Sequence, residues 1–282
     1  MRRDPRLDVT CVGTSAGHRR VTIVESLVAG TVPDVTPRIL TLADAPDLAH
    51  AILPLLAGSW PAYMLDGIPG HGLDIAALLL AAPQYQVLLV EGDDLLAAGL
   101  SVPLRWDITR DELPKGWDDA VVRSAKLIAA GDAADTVCAL SITMAPAAAG
   151  RGLSATMIAE LKSNAARAGA QALVVPVRPM LKHSYPLIPM ADYIGWRDAS
   201  GRMFDPWLRV HLDAGAQLAG VAEASMTITG NVAAWSEWTG LALPGSGDYV
   251  IPGALAPLHV DVHTDTGIYV EPNVWMINPI GN

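Results

Sequence analysis

The chain has 282 residues, 51% of them hydrophobic, with 29 acidic against 19 basic residues and a formal net charge of −10. That length and apolar content suffice to bury a large core in one domain, whereas the acidic balance argues against a nucleic-acid partner, which demands a dense basic surface. Two cysteines, Cys11 and Cys138, exclude a disulfide framework, and AHAILPLLAG and DIAALLLAAP are each interrupted by proline or charge well short of the ~20 apolar residues that cross a bilayer.

After Arg2 and Arg3 the text RLDVTCVG holds neither a sustained apolar core nor a cleavage site, so the protein is expected to be cytoplasmic. Abundant alanine and a single phenylalanine suit the coding bias of a high-GC bacterium. Residues 1–36 read as an N-terminal extension in which LDVTCV and RVTIVESL form short strands around GTSAG, pairing with the main sheet or with a second subunit in a homodimer. From Arg38, RILTL predicts a strand. Asp44 then reads as an N-cap, with Pro46 in the first turn of a helix running to about Leu56. Trp60, Tyr63, Met64 and His71 follow in a glycine-containing stretch suited to lining a substrate, and DIAALLLAA is helical. YQVLLVEGDDLLAAGLSVPLRW is a hairpin turning at Gly92-Asp93-Asp94. The insertion after it carries a helix over Trp117–Ala130, and decoration of an edge is its simplest role, although Trp106 and Trp117 are placed to touch a substrate if it covers a site.

Residues 135–179 carry the chemistry. An apolar run, DTVCALSITMAP, meets a small-residue turn, AAAGRGLS, then a helix with Leu153, Met157, Leu161 and Ala165 at four-residue spacing, then a second apolar run, ALVVPVRP. Gly150 and Gly152 let the backbone close tightly, and Ala147, Ala148, Ala149, Ser154 and Ala155 keep side chains out of the way. The amides of the turn are left bare at a helix N-terminus, where the first N–H groups lack internal partners and the macrodipole favours an anion. Arg151 supplies the turn's only full charge.

Beyond Pro179, MLKHSYPLIPMADYIGW holds a dense cluster of Lys182, His183, Tyr185, Asp192, Tyr193 and Trp196. FDPWLRVHLDAGA predicts a helix capped by Asp205 with Pro206 at its first position, Arg209 and His211 forming its polar face. QLAGVAEASMTITG reads as a strand or strand pair, NVAAWSEWTG as a helix ending at Gly240, residues 241–266 as a long loop, and GIYVEPNVW as a last strand. His259, Asp261, His263 and Asp265 alternate, so a strand would put all four on one face as a metal set or, more simply, as a solvated edge.

Met144-Ala145-Pro146 followed by Ala149-Gly150-Arg151-Gly152-Leu153-Ser154 resembles the cofactor motif of the GCN5-related N-acetyltransferase superfamily, Gln/Arg-x-x-Gly-x-Gly/Ala after a strand ending in hydrophobic-x-Pro. Ala149 stands where Gln or Arg is usual and Ser154 where Gly or Ala is usual, and neither change removes a backbone amide. The resemblance implies an α/β (α+β) fold, a mixed, mostly antiparallel sheet flanked by helices, with residues 37–282 as the acyltransferase domain. It implies acetyl-CoA or another acyl-CoA as cofactor, bound by Ile142, Thr143, Met144, Ala149, Gly150, Arg151, Gly152, Leu153, Ser154 and Ala155. The pantetheine arm would lie between diverging strand ends at residues 141–144 and 173–177. Direct transfer to a small-molecule amine follows, with a tyrosine after the second strand as proton donor: Tyr185 first, Tyr193 second. His183 is a base candidate by residue type, and Glu91 and Ser141 are weaker alternatives. The alternative function on the same fold is acyl-CoA binding for sensing or decarboxylation.

Overall fold

The computed structural model describes residues 36–66, 68–69, 72–106 and 113–281, and the readings made for LDVTCV, RVTIVESL and His71 lie outside them. The apolar runs pair into one sheet from β1 (Arg38–Thr41), β2 (Ile68–Pro69), β3 (Val87–Glu91), β4 (Asp94–Leu104), β5 (Thr136–Met144), β6 (Ala172–Val177), β7 (Gln217–Gly230), β8 (Gly247–Tyr249), β9 (Leu258–Asp261) and β10 (Thr266–Pro279). Their order is β1-β3-β4-β5-β6-β10-β7-β2, with β8 and β9 added beside β10. Among the described residues β5 with β6 is the one parallel pair; the rest are antiparallel, as expected of a mixed, mostly antiparallel sheet.

Alternation along the strands sends side chains to two cores. Leu88, Val90 and Cys138 pack on one face with α1 (Ala49–Ala57), α3 (Ile75–Ala81), α4 (Trp117–Ala130) and α8 (Val232–Thr239). Val87, Leu89 and Val137 pack on the other with α5 (Leu153–Arg167), α6 (Met190–Tyr193) and α7 (Pro206–Asp213). A short α2 (Ala62–Asp66) carries the buried Tyr63. No described helix is long and apolar enough to cross a membrane.

Local chemistry set most helix ends where expected. Asp205 accepts the N–H groups of Trp207 and Leu208 at the start of α7, and Gly240 ends α8 in the left-handed region at φ 69°. Asp44 is a correction. Its carboxylate turns back to the Thr41 N–H and hydroxyl at 3.0 and 2.7 Å, and a 3₁₀ turn over Pro46–Leu48 intervenes before α1, so Asp44 closes the end of β1 instead of capping the helix. QLAGVAEASMTITG is one continuous strand, β7, and the long loop of residues 241–266 contains β8 and β9.

β5 pairs with β6 over three residues only, Thr136↔Ala172, Val137↔Leu173 and Cys138↔Val174. The register of β5 against β4 slips at the next position: Leu100 faces Ser141 and Ser101 faces Ala139, leaving Leu140 as an extra, bulged residue. A bulge bends its strand and sharpens the local twist, so β5 leaves β6 where Leu140 is inserted. Pro176 marks the same event on β6, because an interior proline is tolerated only where one edge has no partner to receive an N–H.

Two long-range contacts seat the pieces around this gap. A Cβ on Gly116 would lie 2.1 Å from Ser225 Cα, so glycine alone lets the start of α4 touch β7. There Ser225 Oγ accepts the Trp117 N–H at 2.9 Å, in place of a capping side chain from α4's own sequence. Opposite, Arg178 Nε donates to both oxygens of the buried Glu271 carboxylate at 3.0 and 3.1 Å, and its Nη2 donates to the Gly253 carbonyl. Tyr269 donates to Glu271 at 2.8 Å and accepts the Leu255 N–H, and Lys182 Nζ donates to the Leu255 carbonyl at 2.6 Å. The segment before β9 is thereby tied to β6 and β10. Arg178→Met leaves Glu271, whose side chain is 1% exposed, as a buried unpaired charge, and is expected to cost about 3–5 kcal/mol in urea unfolding at pH 7. The double variant Arg178→Met/Glu271→Met should regain most of that loss.

Candidate active site

The parting of β5 and β6 opens a cavity of about 470 Å³ walled by residues 139–144 and 175–178 and reaching Ser154 in the first turn of α5. Each strand is paired on its outer side, β5 with β4 and β6 with β10. Their inner edges beyond Cys138 and Val174 therefore present main-chain polar groups with no strand partner, a condition that buried backbone rarely sustains without a ligand or water. One such group is already engaged: the carbonyl of the bulged Leu140 accepts Trp117 Nε1 at 3.2 Å.

At the entrance to α5 both turn glycines are left-handed, Gly150 at φ 73° and Gly152 at φ 71°. The requirement is conformational, because a Cβ at either would meet nothing within 4 Å. Gly152 occupies the N-cap and no side chain accepts from the helix's first N–H groups, so they stay bare. Arg151 is not the free charge that the sequence suggested. Its guanidinium donates to both carboxylate oxygens of Glu91 at 2.7 and 3.3 Å, across the end of β3, and this pair lowers the Glu91 pKa. Glu91, read as a weaker catalytic alternative, thus holds the glycine turn against the sheet.

Of the expected cofactor residues, Ile142, Thr143, Met144 and Ser154 line the cavity, while Ala149, Gly150, Arg151, Gly152, Leu153 and Ala155 form the turn and first helical turn beside it. Of the expected catalytic residues, His183 lines the cavity and the two tyrosines do not. Tyr185 and Tyr193 pack in an aromatic cluster with Trp196 and Phe204, ring centroids 4.9 to 6.1 Å apart. Burial raises the Tyr193 pKa, and donation of its hydroxyl to Asp205 at 2.8 Å raises it further. Arg151, Arg178 and Lys182 form no open basic cleft, since each cation is engaged with a carboxylate or with carbonyls. The alternating His259 set holds no metal-ligand cluster among the described residues: His259 bonds Asp248 at 2.8 Å, and β9 ends at Asp261.

His183 has a defined tautomer. Its Nδ1 lies 2.8 Å from the Met180 carbonyl, which can only accept, so Nδ1 carries the proton and Nε2 offers a lone pair. His211, read as part of a polar face, is instead 1% exposed at the cavity wall, edge-on to Trp207 at 4.7 Å, with no partner on either ring nitrogen. Burial lowers its pKa to about 4, so the ring is neutral at pH 7. Ser141 Oγ is likewise buried without a partner at the cavity. His211 is not distinguishable by pattern from an ordinary polar helix position, whereas Ser141 is already a weaker catalytic alternative from its place on the strand before the glycine turn.

None of the known protein-family models matches the chain. The chain is 34% identical to the arginine N-acetyltransferase of Aspergillus versicolor over 223 residues, 70% of this chain and 76% of that protein. Its fold is similar to the loading GNATL domain of CurA from Lyngbya majuscula, with TM-score 0.52 and 19% identity over 67% of this chain and 87% of that domain. It is also similar to the GphF GNAT-like decarboxylase in complex with isobutyryl-CoA, with TM-score 0.51 and 18% identity over 86% of this chain and 98% of that one.

The neutral His211 has a measurable signature. Between pH 6.5 and about 4 the unfolded imidazole takes up a proton that the folded one refuses, so acidification through that window withdraws stability, roughly 3 kcal/mol in full. Asp118, pushed up to about 6 by burial, acts oppositely, because the folded form takes up its proton first between pH 6 and 3.8. His211→Phe removes only the first effect. Between pH 7 and 4 its stability relative to the parent should improve by roughly 3 kcal/mol in urea unfolding, and a pH-independent difference would refute the neutral buried assignment.

Proposed function

The chain belongs to the GCN5-related N-acetyltransferase superfamily and is an acyltransferase that uses an acyl-CoA, and on that premise we propose that it transfers the acyl group, acetyl in the simplest case, to the amine of a small molecule of the arginine type. The observation that carries this reading is the cavity that runs from the bare N-terminus of α5 into the gap between β5 and β6. The arginine-type acceptor is supported by the activity for which the fungal relative is named. Residues 37–282 are taken as the catalytic domain.

The residues present fit an acyl-CoA. Unsatisfied amides of the glycine turn and of the first turn of α5 would take the diphosphate. The inner edges of β5 and β6 would hydrogen-bond the amides of the pantetheine arm as a third strand does. When bound, the cofactor supplies an acyl group activated as a thioester. The chain's own part is then mostly placement, holding amine and carbonyl carbon together and away from water, an effect worth on the order of 7 kcal/mol or more.

His183 is the proposed base: its Nε2, left as the accepting nitrogen by the Nδ1–H bond to Met180, would take the amine's proton as the C–N bond forms, with the coenzyme A sulfur leaving as the thiolate when the C–S bond breaks. His211, neutral and with both ring nitrogens buried, contributes to the cavity wall behind the reacting groups. Tyr185 and Tyr193 are reassigned to packing around Asp205.

The test is free-thiol release from acetyl-CoA with arginine and a panel of other amines, alongside calorimetric titration of acetyl-CoA. His183→Ala is expected to lower kcat about 10²- to 10⁴-fold while leaving acetyl-CoA affinity within a few-fold. Tight binding with no turnover on any amine would favour sensing or decarboxylation, and absence of any binding heat would remove the cofactor site itself.

A further inference from the structure

A second cavity, of about 400 Å³, lies against the α1 and α3 side of the sheet. It shares Trp60, Met64, Trp117, Leu140, Ser141 and Met226 with the cavity between β5 and β6, so the two chambers meet at one waist. Its size falls within the range of about 300–1,000 Å³ typical of small-molecule sites. Leu42, Ile52, Leu56, Leu79, Leu100 and Ile228 make its wall hydrocarbon.

Two details keep that wall dry. Both indole N–H groups at the waist are turned to β5: Trp60 Nε1 donates to Thr143 Oγ1 at 3.3 Å and Trp117 Nε1 to the Leu140 carbonyl at 3.2 Å. Among the described residues Asp74 is the chamber's one charged lining residue; it is exposed, and one of its carboxylate oxygens caps α3 through the Ala77 N–H at 2.9 Å. An ammonium group buried among the hydrocarbon side chains would be separated from water with that exposed carboxylate as its one counter-charge, which burial penalises. Glu271, Asn273 and His183 all line the other cavity.

Ser141 lines both chambers at the waist, and its buried Oγ has no hydrogen-bond partner among the described residues. A turn of the Ser141 side chain toward the waist would let a carbonyl stationed there accept that hydroxyl's proton, with one substituent extending into each chamber. A thioester has this shape: the pantetheine sulfur on one side, an alkyl chain on the other.

We propose that the second chamber is an acyl-chain site, that Ser141 holds the thioester carbonyl at its mouth, and that the preferred donor carries a medium-length aliphatic acyl group. The proposal rests on the acyl-CoA reading above, but binding and turnover test the two separately. Each methylene moved from water into such a wall is worth about four-fold in affinity. Hexanoyl-CoA should therefore bind the full-length protein at least ten-fold tighter than acetyl-CoA by calorimetry without an amine. Leu56→Trp and Ala49→Phe, which fill the chamber from α1, should each lower the hexanoyl-to-acetyl affinity ratio at least ten-fold, with thermal melting used to confirm that the variants fold. Ser141→Ala should weaken both donors alike and leave the ratio in place.

Equal or weaker binding of hexanoyl-CoA by the parent protein overturns the chamber, whatever the turnover. So does a parent ratio that neither filling variant changes, or tighter binding of hexylamine than of hexanoyl-CoA, which would give the chamber to the acceptor. Tight, chain-length-dependent binding with no acyl transfer to any amine leaves the chamber standing and removes the transferase reading instead.

Discussion

One inserted residue governs this molecule. Leu140 bulges from β5 against β4, and from that point β5 and β6 no longer share hydrogen bonds. Two strands held on their outer sides and released on their inner sides leave a row of peptide groups that water or a ligand must satisfy. The sheet is thus complete as a scaffold and incomplete as a hydrogen-bond ladder, and the site is the incompleteness. Pro176 keeps β6 from closing it, and the α4 indole of Trp117 takes the carbonyl that the bulge exposes.

Most of the charge that looks functional in the sequence turns out to fasten backbone. Arg151 and Glu91 clamp the glycine turn to the hairpin, Arg178 and Glu271 tie the segment before β9 to β6 and β10, and Lys182 donates to two carbonyls. Asp205 joins the Tyr193 hydroxyl, the Leu181 N–H and the start of α7. Burial favours the arrangements at Glu271, Lys182 and Asp205, since a charge removed from water must be paired or hydrogen-bonded to be tolerated. What remains for a ligand is correspondingly sparse in charge: bare amides and the His183 imidazole.

The same division explains the tyrosines. In a segment bracketed by prolines, aromatic rings bury more apolar surface against one another than they would beside an open gap, and Tyr185, Tyr193, Trp196 and Phe204 do so edge to face. Their cluster seats α6 and α7, which brings His211 to the cavity wall. The tyrosines thus act at one remove, by placing a helix.

The sequence by itself determined what depends on near neighbours. Hydrophobic period placed α4 at Trp117–Ala130, cap chemistry placed Asp205 and Gly240, and two glycines with their short-chained flanks fixed a bare helix N-terminus after an apolar strand. Pro176 inside ALVVPV was a further local trace, of a strand edge without a partner. Asp44 misled because a Thr three residues earlier competed for its carboxylate. Only the tertiary structure decided which groups meet across long separations: Arg151 with Glu91, 60 residues apart, Arg178 with Glu271, 93 apart, and Trp117 with Ser225, 108 apart. It also decided which polar atoms find no partner, and so left His211 and Ser141 at the cavity. Periodicity reports which face of an element is buried, but the partner that a buried polar atom gains or lacks is a property of packing between elements, and no local pattern encodes it.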